Sequence, residues 1–113
     1  MRTIQAPDDL QDALSANRAI LFKHSTRCEL SSSARIHVEK FAENFPAADI
    51  FVVDVIRDRR LSNEVESRLG VRHESPQAIL VCGGKAIHQA SHRGVRLKTL
   101  SKWWNESSPD QAW

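Results

Sequence analysis

The most constraining feature of this chain is the run Ile50-Phe51-Val52-Val53-Asp54-Val55-Ile56. It is β-branched and apolar at consecutive positions, not alternate ones. A strand of that kind must be covered on both faces, which requires an α/β sheet with helices above and below it. Two shorter runs, Ala19-Ile20-Leu21-Phe22 and Ala78-Ile79-Leu80-Val81-Cys82, repeat the pattern. Each is too short for a helix and is bounded by polar or turn residues, so each reads as a buried strand.

Helical spacing fills the intervals. Pro7 to Ala16 reads as a short helix. Pro7 suits its first position, Asp8 and Asp9 suit the positive end of its dipole, and Leu10, Ala13 and Leu14 form its apolar stripe. Leu30, Ala34, Val38, Phe41, Ala42 and Phe45 mark a second helix that ends at Pro46, with Thr26 and Glu29 spaced as a capping box. Ser62 can cap a third, which carries Leu61, Val65 and Leu69 and stops at Gly70. Gly83-Gly84 predicts a two-residue hairpin, so Lys85 to Ala90 should pair back on the third strand. Leu97, Leu100 and Trp104 mark a last helix, with one ring of the Trp103-Trp104 pair on the sheet and the other outside. The polar stretch from Asn105 to Trp113 reads as a frayed tail. The expected order is α–β–α–β–α–β–β–α. This is a four-stranded mixed sheet with helices on both faces, one domain over residues 1–105 and a disordered tail over 106–113.

Size and charge exclude several functions. With 113 residues the chain is one domain, long enough to close a core without disulfides. A net charge of +2 does not suggest nucleic acid or an anionic membrane as partner. Arg57, Arg59, Arg60 and Arg68 alternate with Asp58, Glu64 and Glu66, the pattern of a solvated face. No apolar run approaches the roughly 20 residues that span a bilayer. Met1 to Asp12 has no signal-peptide core, so a reduced, cytoplasmic location is expected. Cys28 and Cys82 are too few for a disulfide scaffold or a four-cysteine zinc site. His88 and His92 are four apart but lack further evident ligands. His24, His37 and His73 read as surface or helix-face residues.

Chemistry concentrates at Cys28. It follows the first strand, at or near a helix N-terminus, where unpaired N–H groups and the dipole favour a thiolate. Lys23 and Arg27 would help, and Glu29 would oppose them. A lone cysteine is ordinarily a small buried hydrophobe, but polar flanks and a turn position favour a reactive, exposed thiol here. In Cys28-x-x-Ser31 a hydroxyl stands where a dithiol oxidoreductase has its resolving cysteine. A hydroxyl can hydrogen-bond a thiolate but cannot close an internal disulfide, so the chemistry should stop at a mixed disulfide. Pro76, opening a central strand, is out of place unless it has a role. Spacing alone leaves its peptide bond cis or trans.

The stretch Phe22-Lys23-His24-Ser25-Thr26-Arg27-Cys28-x-x-Ser31, with His73-Glu74-Ser75-Pro76-Gln77 and Ala90-Ser91-His92, resembles the monothiol bacilliredoxin family of the thioredoxin superfamily. The resemblance runs from about Ile4 to Trp104 and implies a thioredoxin-like fold with an extra N-terminal helix. It implies that Cys28 is the nucleophile, with Ser31 in the place of a second cysteine. It also implies that Pro76 is a cis-proline beside the thiol, with Ser75 offering backbone groups to substrate. Thr26 and Arg27 complete the candidate substrate-binding set. Glu29 stands where the family usually has proline, which bears on acidity and partner choice. The implied activity is removal of bacillithiol, or a similar low-molecular-weight thiol, from protein mixed disulfides. The expected partners are client proteins and that small thiol, acting on a monomer or weak dimer with no cofactor. With Pro76 near Cys28, Cys82 falls about 17 Å along the third strand and reads as a structural thiol. The alternative on the same fold is a non-catalytic carrier or interaction module, such as a dimer in which Cys28 bridges an iron–sulfur cluster. A redox-dead partner-binding domain is a third possibility.

Overall fold

A computed structural model of the chain describes residues 1–25 and 29–107. Five strands form one mixed sheet: β1 (Arg2–Thr3), β2 (Arg18–His24), β3 (Ile50–Asp54), β4 (Gln77–Cys82) and β5 (Lys85–Ser91). The spatial order is β1-β3-β2-β4-β5. β3 runs parallel to both β1 and β2, whereas β4 is antiparallel to β2 and to β5. The helices are α1 (Pro7–Ser15), α2 (Glu29–Asn44), α3 (Arg59–Leu69) and α4 (Leu97–Glu106), with a 3₁₀ turn at His92–Gly94.

Parity along the strands divides the core in two. Ile20 and Phe22 of β2, Ile50 and Val52 of β3, and Ala78, Leu80 and Cys82 of β4 face Ala34, Val38, Phe41, Leu100, Trp103 and Trp104 of α2 and α4. Ala19, Leu21, Phe51, Val53, Ile79 and Val81 face Leu10, Ala13, Leu14, Leu61 and Val65 of α1 and α3. This is why the apolar runs are continuous: every residue of such a strand meets a helix layer on one side or the other. Gly83 and Gly84 turn the β4–β5 hairpin at φ 58° and 80°, a backbone region that glycine occupies without a Cβ penalty.

The structure departs from the sequence-based expectation at several points. The sheet has a fifth strand. β1 holds only Arg2 and Thr3, too short for any periodicity, and Ile4 N–H donates to Val52 O at 2.8 Å beside it. α3 starts earlier than expected. Its cap is Asp58, whose carboxylate accepts from Leu61 N–H at 3.2 Å, and Ser62 lies buried inside the first turn. Both Trp103 and Trp104 are buried, because α4 lies flat on the sheet and the Arg18 guanidinium covers the Trp104 ring at 3.8 Å. α4 continues through Asn105 and Glu106. There Arg18 donates to the carbonyls of Trp104 and Ser107 at 2.7 and 2.6 Å and satisfies the helix end. Among the described residues, no helix is long and apolar enough to cross a membrane.

Candidate functional site

The parallel strands β2 and β3 end at the same edge of the sheet, and β4 starts there. The β2–β4 ladder closes on the pair Lys23 and Gln77, so His24-Ser25 and Ser75-Pro76 emerge side by side. The segment leading into α2 leaves from this edge. Thr26, Arg27 and Cys28 themselves lie outside the described residues, and so does the Thr26 capping box.

Ser31 lies in the first turn of α2 and is fully buried. Its Oγ accepts from Ser25 N–H at 3.1 Å, which ties the end of β2 to the start of α2. A hydroxyl acceptor of this kind keeps its own proton to donate elsewhere. The Ser75–Pro76 peptide bond is cis, and Pro76 is buried. Pro76 O accepts from His92 N–H at 2.8 Å, which anchors the loop before β4 to the end of β5. Ser75 Oγ is buried with no hydrogen-bond partner among the described residues. Ser31, Ser75 and Pro76 are thus gathered at the edge where the Cys28 segment begins.

Two residues at this edge are buried in a way the sequence reading missed. His24, expected at the surface, is 7% exposed and packs its ring on Phe22 at 5.4 Å between centroids. Its parity with Ile20 and Phe22 sends it into the α2 and α4 layer. Burial and the Arg35 charge lower its pKa, which favours the neutral imidazole. Lys23 is 0% exposed, and its Nζ has no hydrogen-bond partner among the described residues. Burial brings its pKa down to about 8, against the pull of Glu66 and Glu74. The signal for Lys23 was its position, an even number of residues from Ala19 and Leu21 in a strand covered on both faces. A cavity of about 510 Å³ opens beside this edge, lined among others by Ser25, Arg59, Ser62, His73 and Ser75. Ser62 Oγ and His73 Nδ1 meet across it at 3.3 Å.

Cys82 sits at the opposite end of the ladder, paired with Arg18, and is 1% exposed. That places it about 17 Å from Gln77 along the strand. Burial pushes its thiol pKa up, only partly offset by Arg18, so it is a poor nucleophile. The two histidines spaced four apart serve other contacts. His88 stacks on Trp103 at 5.7 Å, and His92 lies 3.6 Å from Glu74. Among the described residues, no group of three or more His, Cys, Asp or Glu side chains is placed to hold a metal ion.

The profile of the family described as monothiol bacilliredoxin BrxC matches residues 2–100. The chain belongs to the monothiol bacilliredoxin family. Solved structures share its fold. A candidate oxidoreductase with a thioredoxin fold superposes with a TM-score of 0.83 at 24% identity, covering 89% of this chain and 90% of that one. Fasciola hepatica thioredoxin gives 0.76 at 16% identity over 96% of this chain and 100% of its own. Mitochondrial thioredoxin 3 of Saccharomyces cerevisiae gives 0.76 at 15% identity over 95% of each. The fold is thioredoxin-like, and family and fold together make this bacilliredoxin a thiol oxidoreductase.

Proposed function

We propose that this protein removes a low-molecular-weight thiol of the bacillithiol type from protein mixed disulfides, using Cys28 alone. The Cys28 thiolate attacks the small-thiol sulfur of the mixed disulfide. One S–S bond forms on Cys28, the client S–S bond breaks, and the client sulfur leaves as a thiolate that takes up a proton. A second small thiol then attacks the Cys28 adduct and restores the free thiol. Each step exchanges one disulfide for another, so electrons balance without an external acceptor. The work suits a reducing compartment, where a free thiol persists.

The observation that carries this reading is the family match together with the arrangement at the sheet edge. Ser31, not a second cysteine, is locked into the first turn of α2, and the only other cysteine is buried at the far end of the sheet. Ser31 would steady the thiolate. Thr26 and Arg27, next to Cys28 in sequence, together with Ser75 and Pro76, would bind the substrate. The test is a client protein loaded with bacillithiol as a mixed disulfide and mixed with the native chain or Cys28→Ser. Native protein should strip the client and gain the mass of one small thiol. Equal stripping by Cys28→Ser would refute the assignment.

A further inference from the structure

Three buried polar atoms have no hydrogen-bond partner among the described residues: Lys23 Nζ, His24 Nδ1 and Ser75 Oγ. All three belong to the one sheet edge from which the Cys28 segment leaves. Folded proteins leave few such atoms, and each one calls for a physical reason. The Lys23 amine is the costliest, since a buried ammonium without a partner loses its hydration and gains nothing in return.

For Ser75, which lines it, the neighbouring cavity supplies that reason. Its volume of about 510 Å³ falls in the range of small-ligand sites, roughly 300–1,000 Å³. Its polar lining consists of donors and a cation: Ser25, Arg59, Ser62, Asn63, His73 and Ser75, with no carboxylate among the lining residues. Lys23 leaves β2 on the face shared with Leu21, the face that α3 covers. Arg59 and His73 share the cavity wall. Lys23 itself does not line the cavity, nor do Glu66 on α3 and Glu74 before β4, which act on it with the opposite sign, so the cation of the cavity wall is Arg59. Ser25 and Ser75, at the sheet edge, are among its lining residues.

We propose that this cavity binds the carboxylate-bearing arm of the small thiol exchanged at Cys28, and that Arg59 selects anionic over neutral small thiols. The inference rests on the oxidoreductase reading above and adds to it the charge of the substrate and the residues that read it. A carboxylate there would accept from Ser75 and pair with Arg59, as charge-assisted hydrogen bonds do.

The experiment compares two disulfide probes, glutathione disulfide, which carries carboxylates, and 2-hydroxyethyl disulfide, which is neutral. The rate of adduct formation on Cys28 is followed by intact mass in the native chain and Arg59→Ala. The ratio of the anionic to the neutral rate should fall about threefold or more in the variant, the scale of losing one partly screened charge contact. Arg59 is exposed, so its replacement leaves the core packing intact. An unchanged ratio in Arg59→Ala, with both probes still reacting, overturns the site and leaves the oxidoreductase reading intact. A native chain that neither probe modifies overturns the oxidoreductase reading itself.

Discussion

Replacing Lys23 by Met should make the protein more stable at neutral pH, by an amount that shrinks as pH rises. Methionine has a similar length and no charge, so it fills the same volume under α3 without an ammonium to desolvate. The amine's pKa falls from 10.5 to about 8 on folding. At 1.36 kcal/mol per unit, that gap is a penalty of about 3 kcal/mol on the folded state when the amine is protonated. Below about pH 8 both states carry the proton and the penalty is fully present. Between about 8 and 10.5 the unfolded chain stays protonated while the folded one does not, so native stability rises with pH. Above that window the penalty is gone. Urea unfolding followed by tryptophan fluorescence, at about pH 6.5 and about pH 10, measures both proteins and cancels the other titrating groups they share. Lys23→Met should be more stable by up to about 3 kcal/mol at the lower pH and within about 1 kcal/mol at the higher. A pH-independent difference, or a less stable variant at pH 6.5, would refute the buried, uncompensated amine.

Other outcomes follow from single contacts. Ser31→Ala removes the acceptor for Ser25 N–H and should cost about 1 kcal/mol of stability while slowing mixed-disulfide formation by no more than about tenfold. Ser31→Cys should release the small thiol spontaneously by closing an internal disulfide with Cys28, seen as loss of the adduct mass, because the two positions are one helical turn apart in sequence. Asp58→Ala removes the α3 cap and should lower stability by about 1 kcal/mol in urea unfolding, with the alkylation rate of Cys28 unchanged. The rate of iodoacetamide alkylation of Cys28 against pH should inflect below the roughly 8.5 of an unperturbed thiol, and an inflection at or above it would remove the electrostatic argument for this cysteine.

Much of the architecture was legible because its signals are local. Continuous apolar runs located β2, β3 and β4, Gly83-Gly84 located the hairpin, and Gly70, with φ 66°, stopped α3 as expected. Ser31, Ser75 and Pro76 could be singled out from the spacing and the family resemblance, and the fold brings them to one edge. What escaped depends on long-range packing. β1 has two residues and exists because β3 offers it an edge. Trp103 is buried because it joins the layer of α2 and the sheet and stacks on His88 of β5, contacts that one helix's periodicity does not reveal. Asp58, not Ser62, is the cap because α3 begins at Arg59, two residues before the first residue of its apolar stripe, Leu61. Lys23 and His24 read as polar strand-end residues, yet the sheet edge is covered on both faces, so the parity of β2 carries them inside. The cavity is assembled from the residues that follow β2 and β3, from α3 and from the loop before β4, and no stretch of sequence announces it.

The central claim is that one thiol, Cys28, reacts and works alone. Intact mass of the native chain after incubation with bacillithiol disulfide and, separately, with glutathione disulfide tests it most directly, with peptide mapping of the modified residue. The account predicts a single small-thiol adduct on Cys28, Cys82 free, and no adduct on Cys28→Ser. A Cys28–Cys82 disulfide, an adduct mapped to Cys82, or an unmodified native chain would contradict it.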